Sequence, residues 1–262
     1  REKGAHVHTQ TRCVGARRNK GLWELNLERA DGSLFSIRSK ALVNAAGPWV
    51  AKFIKDDLKL DSPYGIRLIQ GSHLIVPKLY DAPNAFILQN EDQRIVFTIP
   101  YMDQFTIIGT TDREYTGDPA KVSITEEETD YLLNVVNAHF KQQVSRSDIL
   151  RTYSGVRPLC NDESDNPSAV TRDYTLALSG AQGEAPLLSV FGGKLTTYRK
   201  LAESAMAQLT PYFTQIKPSW TASATLPGGE DMTTPKALSE ALVSQYSWLD
   251  AAIAKRWAIT YG

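Results

Sequence analysis

The sequence predicts an α+β / α/β chain, and three observations carry that expectation. Three short alternating segments precede a strand, a run of small residues and a helix, the order of an α/β nucleotide-type domain. The middle of the chain is strand-rich, with one helix interposed. Later, an apolar strand passes through a glycine pair into another helix.

Taken in order, residues 5–13, 22–28 and 34–37 alternate apolar and polar side chains, the period of a strand with one buried face. Turn residues separate them at Arg18-Asn19-Lys20-Gly21 and Asp31-Gly32-Ser33. Residues 41–43 predict a fourth strand, which runs into Asn44-Ala45-Ala46-Gly47-Pro48-Trp49. Pro48 suits the first turn of a helix, and Trp49, Val50, Phe53 and Ile54 continue at helical spacing. Residues 65–77, 85–88, 94–100 and 104–110 predict strands, the last two as a hairpin turned at Tyr101-Met102-Asp103. Thr125, with Glu128 three residues on, gives a capping-box signal, and Leu132, Val135, Val136 and Phe140 form the apolar stripe of the helix that follows. Glu126, Glu127 and Glu128 read as first-turn charges favoured by the helix dipole. Residues 151–158 predict a strand or turn, and residues 161–168 a polar loop. Residues 187–191 predict an apolar strand; Gly192-Gly193-Lys194 then leads into a helix striped by Tyr198, Leu201, Ala202, Ala205 and Leu209. Beyond Pro227-Gly228-Gly229 the composition turns helical.

Composition narrows the partners. Acidic and basic side chains balance at 29 each, which argues against nucleic acid, since that binding runs on excess Lys and Arg. A small anion held by two or three local cations stays open. Cys13 and Cys160 are the two cysteines and form no C-x-x-C pattern, which argues against a disulfide framework or a zinc site and fits a reducing compartment. There is no run of about 18 apolar residues of the kind that spans a bilayer. The start lacks an initiator Met and a signal-peptide core, so the chain is expected to be a segment of a longer protein.

Several residues carry chemistry. At Gly192-Gly193-Lys194-Leu195-Thr196-Thr197, a strand enters a helix N-terminus, where unpaired N–H groups and a lysine suit an anion or cofactor contact; the alternative is a tight turn with a solvated lysine. It is not a P-loop, because Leu188 stands where that pattern needs glycine. Arg157, between Gly155 and Pro158 on constrained backbone, suits bidentate recognition of phosphate or carboxylate, or is a surface arginine. His73, inside an apolar strand beside Gly71, is a base near neutral pH or a hydrogen-bonded core histidine. His6 and His8 share one face of the first alternating segment without a third ligand. The small residues Ala45, Ala46 and Gly47 let an extended cofactor pass close to the backbone, and Gly109-Thr110-Thr111-Asp112 either lines a pocket or makes a turn.

Five motifs occur in one order: Val43-Asn44-Ala45-Ala46-Gly47-Pro48-Trp49, Ile66-Arg67-Leu68-Ile69-Gln70-Gly71-Ser72-His73, Ile108-Gly109-Thr110-Thr111-Asp112, Tyr153-Ser154-Gly155-Val156-Arg157-Pro158-Leu159, and Gly192-Gly193-Lys194-Leu195-Thr196-Thr197-Tyr198-Arg199. Together, over residues 4–230, the chain resembles the aerobic FAD-dependent glycerol-3-phosphate dehydrogenases, within the wider D-amino-acid-oxidase-like flavoproteins. The resemblance implies a discontinuous FAD domain at 1–64 and 186–230 and a mostly antiparallel substrate domain at 65–185. Residues 231–262 would begin a helical C-terminal domain. It further implies oxidation of sn-glycerol 3-phosphate to dihydroxyacetone phosphate, with hydride passing to FAD and electrons on to quinone. Family members dock from the cytoplasm on the inner face of the bacterial inner membrane, usually as homodimers. By the same resemblance, Arg157 clamps the phosphate, and His73, or else Lys194, takes the C2 hydroxyl proton. Lys194 lies at the flavin edge, and Ala45, Ala46, Gly47, Gly192, Gly193, Leu195 and Thr196 contact FAD. The family's opening strand, G-x-G-x-x-G and helix are not in this chain, so the activity is expected of the longer parent, with this piece alone inactive. The alternatives are another FAD-dependent enzyme of this fold acting on an amino or hydroxy acid, and an inert anion-binding fragment.

Overall fold

Alternation in the first forty residues produces a meander of three antiparallel strands, β1 (Thr11–Asn19), β2 (Leu22–Arg29) and β3 (Leu34–Ser39). The computed structural model describes residues 4–160, 173–181, 183–226, 229 and 234–261; the expected polar loop at 161–168 lies outside them, as does most of the turn at 227–229. The first strand starts later than the alternation over 5–13 suggests, because the hairpin turn sets the register. Lys20 and Gly21 take φ of 49° and 75°, a two-residue turn that pairs Asn19 with Leu22 and Arg18 with Trp23. His6 and His8 therefore precede the strand. Trp23 is buried, and its Nε1 donates to the Pro186 carbonyl at 2.9 Å, while Arg18 Nε donates to the Ala185 carbonyl at 2.9 Å. These bonds tie the meander to residues 185–186.

The next strand, β4 (Leu42–Asn44), runs through a 3-10 turn at Gly47–Trp49 into α1 (Val50–Lys52), which widens into a π turn at Phe53–Asp57. Pro48 sits at the first turn of this segment, as its missing N–H allows. Val50 and Ile54 bury their side chains together with Phe191 and Cys160.

Six strands then form one antiparallel sheet: β5 (Ile66–Pro77), β6 (Phe86–Gln89), β7 (Ile95–Tyr101), β8 (Phe105–Gly109), β9 (Arg113–Tyr115) and β10 (Arg151–Cys160). Their order is β10-β5-β8-β7-β6, with β9 also paired to β5. The helix α2 (Glu126–His139) covers one face. It opens on the capping box: Thr125 Oγ1 accepts from the Glu128 N–H at 3.2 Å, and Glu128 Oε2 accepts from the Thr125 N–H at 2.9 Å. Its stripe of Leu132, Leu133, Val135 and Val136 packs on Leu74, Val76, Leu88, Val96 and Ile108, all buried. Because side chains alternate along a strand, the residues between them, including His73, Phe97, Ile99 and Tyr153, lie on the other face.

A third sheet has the order β11-β12-β4, where β11 is Tyr174–Ser179 and β12 is Leu187–Gly192; β12 runs parallel to β4. β11 pairs antiparallel with β12 and so belongs to this sheet. The glycine pair does not enter an α-helix directly. A 3-10 turn at Leu195–Thr197 intervenes before α3 (Tyr198–Leu209), whose Ala205 and Leu209 bury against Leu188.

By packing, the chain divides into Arg1–Thr214 and Gln215–Gly262. The second unit contains α4 (Pro235–Gln245), capped by Thr234, and α5 (Ala251–Tyr261), whose first N–H groups are accepted by Asp250. No helix among the described residues is long and apolar enough to cross a membrane.

Candidate functional site

The stretch Gln70-Gly71-Ser72-His73 on β5 alternates between two environments. Gln70 and Ser72 point to the covered face and are buried; Gly71 and His73 lie on the opposite face. Across the sheet His73 pairs with Tyr153 of β10 on one side and Gly109 of β8 on the other. The His73 and Tyr153 rings stack, with centroids 4.5 Å apart and planes 4° off parallel. On the Gly109 side, a Cβ would fall into the imidazole, so only glycine leaves room for it. Nδ1 of His73 is buried and has no hydrogen-bond partner among the described residues. That differs from the hydrogen-bonded core histidine that the sequence left open. Burial first, and then the Arg157 charge, push the His73 pKa below its ordinary 6.5, so the ring favours its neutral, proton-accepting form.

Arg157 lies on β10 opposite Ile69, and its guanidinium reaches across Gly71. Nη1 donates to Asp112 Oδ1 at 2.7 Å and Nη2 to Thr110 Oγ1 at 2.9 Å. The pair is half-buried, with side-chain exposures of 27% for Arg157 and 16% for Asp112. A Cβ on Gly71 would collide with the guanidinium. Gly71 and Gly109 are thus both close-approach glycines, one clearing space for the arginine and the other for the histidine. The stretch from Gly109 to Asp112 is more than a turn: Thr110 and Asp112 meet Arg157, while Thr111 faces the other way.

Thr111 faces a buried network that the sequence did not signal. Glu128 is 6% exposed. Its Oε1 accepts from Thr111 Oγ1 at 2.5 Å and Ser72 Oγ at 2.9 Å; its Oε2 accepts from Gln70 Nε2 at 2.7 Å and the Thr125 N–H at 2.9 Å. Glu128 is the first-turn charge and capping-box partner that the sequence predicts, and its carboxylate also gathers buried donors from β5 and the turn after β8. Its spacing from Thr125 separates Glu128 from its exposed neighbours as the capping-box residue, but not as the centre of a buried network.

The second group of candidates lies at the ends of β4 and β12, which are parallel neighbours. Ala45 and Ala46 line a cavity of about 610 Å3 together with Arg12, Cys13, Trp49 and Asp57. Asn44 shapes the exit of β4: its Nδ2 donates to the Val50 carbonyl at 3.0 Å, and its Oδ1 accepts from the Ala46 N–H at 3.3 Å. Gly47 takes φ +55° with open space where a Cβ would stand. Gly192 and Gly193 take φ of +73° and +100°, and a Cβ on Gly192 would lie 2.7 Å from the Asp173 carbonyl oxygen and 3.6 Å from that of Pro158. The chain's own backbone thus explains Gly192, and the same packing sets the glycine pair beside the residue after Arg157. Lys194, Leu195 and Thr196 are exposed, Leu195 by 90%. No hydrogen bond or ion pair among the described residues joins Lys194 to His73 or Arg157. The cavity opens beside the backbone of Ala45 and Ala46 at the end of β4, and the rest of its wall is formed by larger and charged side chains, among them Lys52, Phe53, Asp57 and Asp118.

A family model for FAD dependent oxidoreductases matches residues 1–199. The chain belongs to the FAD-dependent oxidoreductase family. Its similarity to individual members runs its whole length. It is 76% identical to "Glycerol-3-phosphate dehydrogenase" of Pseudomonas tolaasii over 100% of this chain and 51% of that protein. It is 43% identical to "D-erythritol 1-phosphate dehydrogenase" of Brucella abortus, over 100% of this chain and 52% of that protein. The crystal structure of glycerol-3-phosphate dehydrogenase from Bacillus halodurans complexed with FAD superposes with a TM-score of 0.79 at 26% identity, covering 96% of this chain and 49% of that one. The chain therefore spans about half the length of the curated relatives it matches. Mixed α/β architecture with antiparallel sheets is that of this family of oxidoreductases.

Proposed function

We propose that this chain supplies the substrate-binding sheet and part of the cofactor site of an enzyme oxidising sn-glycerol 3-phosphate to dihydroxyacetone phosphate. Bound FAD would supply the hydride acceptor. Ala45, Ala46 and Gly47 after β4, with Gly192 to Thr196 after β12, would hold it, Lys194 offering positive charge at its edge. The strands β5 to β10 would form the substrate side, the meander with β4, β11 and β12 the cofactor side, and residues 231–262 the start of a helical domain.

One observation carries the reading: Arg157 and His73 stand side by side on one sheet face, each with a glycine cleared beneath it. Arg157 presents a planar fork to a phosphate, with Thr110 and Asp112 holding its orientation. With Nδ1 buried, Nε2 of His73 is the nitrogen left to take the C2 hydroxyl proton, and the lowered pKa keeps it free to accept. Stacking on Tyr153 keeps the ring in place. Quinone as the electron acceptor, docking on the inner face of the bacterial membrane and a homodimeric state complete the proposal for the whole protein.

The 43% identity to an erythritol-phosphate enzyme favours a second reading in which the substrate is a longer polyol phosphate. The test is steady-state turnover of a full-length protein, meaning this chain with the remainder of a sequence of its relatives' length. Glycerol 3-phosphate, erythritol phosphate and an amino or hydroxy acid would be compared. A higher kcat/KM on glycerol 3-phosphate is expected; preference for the erythritol phosphate selects the second reading, and preference for a carboxylate overturns both.

A further inference from the structure

Glu128 is a buried carboxylate with no place in the chemistry above, and its contacts lead to Arg157 by two routes. The first runs through the turn after β8. Thr111 Oγ1 donates to Glu128 Oε1 at 2.5 Å and accepts from the Ser72 N–H at 2.9 Å. That fixes Thr111 from both sides, so its neighbours Thr110 and Asp112 face the other way and meet the guanidinium at 2.9 and 2.7 Å. The second route runs through β10. Ser72 Oγ donates to Glu128 Oε1 at 2.9 Å and lies 2.9 Å from Ser154 Oγ, three residues before Arg157 on the same strand. The strand that bears the arginine and the turn that holds its head are thus referenced to one carboxylate.

We propose that Glu128 is a positioning residue for Arg157, setting how tightly the site takes a phosphate ester. This rests on the reading of Arg157 as the phosphate clamp. The chemistry requires a carboxylate because four donors converge, two on each oxygen. An ionised carboxylate is all acceptor, whereas an amide carries two donors of its own. In Glu128→Gln, the amide oxygen stays with Gln70 and the Thr125 N–H, which cannot reverse. The NH2 group then faces the Ser72 and Thr111 hydroxyls. Thr111, already accepting from the Ser72 N–H, can take the NH2 only on its second lone pair, with its own proton turned away from α2. A bond to a carboxylate thus becomes a weaker neutral one, and the Thr110-Thr111-Asp112 turn is held less firmly.

The experiment uses the full-length protein and two readouts: the dissociation constant of inorganic phosphate by calorimetry, and KM and kcat for glycerol 3-phosphate. Wild type is compared with Glu128→Gln, Thr111→Val, their double variant, Thr111→Ser and Glu127→Gln. Glu128→Gln and Thr111→Val are each expected to raise the phosphate constant and KM about tenfold, the size of one charged hydrogen bond lost. The double variant should do no worse than Glu128→Gln alone, since the Thr111 link is one of those that variant already disturbs. kcat and flavin content should hold within about threefold, while Thr111→Ser, which keeps the hydroxyl, and the exposed Glu127→Gln stay at wild type. A merely structural role for Glu128 lowers thermal stability and leaves phosphate affinity unchanged; that result overturns the proposal, as do additive effects in the double variant. Should Glu128→Gln fail to fold, Thr111→Val against Thr111→Ser decides alone. A wild type that binds phosphate but ignores glycerol 3-phosphate defeats the substrate assignment only, and the affinity series still reads the positioning role. A wild type that binds no phosphate overturns it.

Discussion

Two glycines that face each other across β5 and β10 give a matched test of the Arg157 geometry. Gly71 and Gly155 are register partners on the same sheet face. A Cβ built on Gly155 meets nothing within 4 Å; one built on Gly71 collides with the Arg157 guanidinium and lies 2.7 Å from Thr110 Oγ1. Neither backbone sits at a φ that only glycine favours. Replacing either by Ala therefore removes the same unfolded-state freedom, a gain of about 0.5–1 kcal/mol in a strand, and this gain cancels between the two variants. What remains is the collision, about 1–3 kcal/mol for overpacking. The guanidinium is the far end of a flexible side chain, so the fold survives by moving it, at the expense of its bonds to Thr110 and Asp112. At this chain length, roughly 2–4 °C of melting temperature corresponds to 1 kcal/mol, so Gly71→Ala should melt about 2–12 °C below Gly155→Ala. In the full-length protein Gly71→Ala should raise KM for glycerol 3-phosphate by at least about tenfold, equivalent to 1.4 kcal/mol, and Gly155→Ala should leave it alone. Thermal unfolding and steady-state kinetics check both. Equal melting temperatures with equal KM values would refute the placement of Arg157 over Gly71.

Further outcomes are expected at other positions. Replacing His73 by Asn should lower kcat by about 10²–10⁴, the range for a lost general base; wild-type turnover would remove it from that role. Because the folded-state pKa of His73 lies below 6.5, the unfolded chain takes up a proton between 6.5 and that lower value while the folded chain does not. Stability from this group therefore falls as pH drops through 6.5, and melting curves of wild type and His73→Asn should converge toward acid; parallel curves would contradict it. Leu132→Ala, which empties a fully buried position between α2 and the sheet, should cost about 2–5 kcal/mol in denaturant unfolding.

What was legible in the sequence follows from the range of the interactions involved. The helix α2 was visible because the cap, first-turn charge and apolar stripe all lie within 15 residues of one another. Strand β5 was visible as an apolar run around Gly71, yet its two faces have different fates that only neighbouring strands reveal. The true span of β1 depends on the turn at Lys20-Gly21, whose register outweighs the alternation before it. Strand β11 was missed because Tyr174-Thr175-Leu176-Ala177-Leu178-Ser179 follows a polar stretch and earns its place only by pairing with β12. Glu128 was legible as the capping-box residue but not as the centre of a buried network, since its partners Ser72 and Gln70 come from more than fifty residues away. For His73 and Arg157, the sequence suggested the chemistry of each, but not the two glycines that let them stand together. Lys194 remains exposed at the end of β12, so its role depends on what meets it there.

The most direct measurement is anaerobic titration of the full-length, flavin-loaded protein with glycerol 3-phosphate, followed by the visible flavin bands, alongside Arg157→Ala. Bands that bleach in wild type, and in Arg157→Ala only at much higher substrate, are the expected result. Bands that stay oxidised in wild type, or that bleach at the same substrate concentration in both proteins, would contradict a phosphate-clamped substrate delivered to the flavin by this sheet.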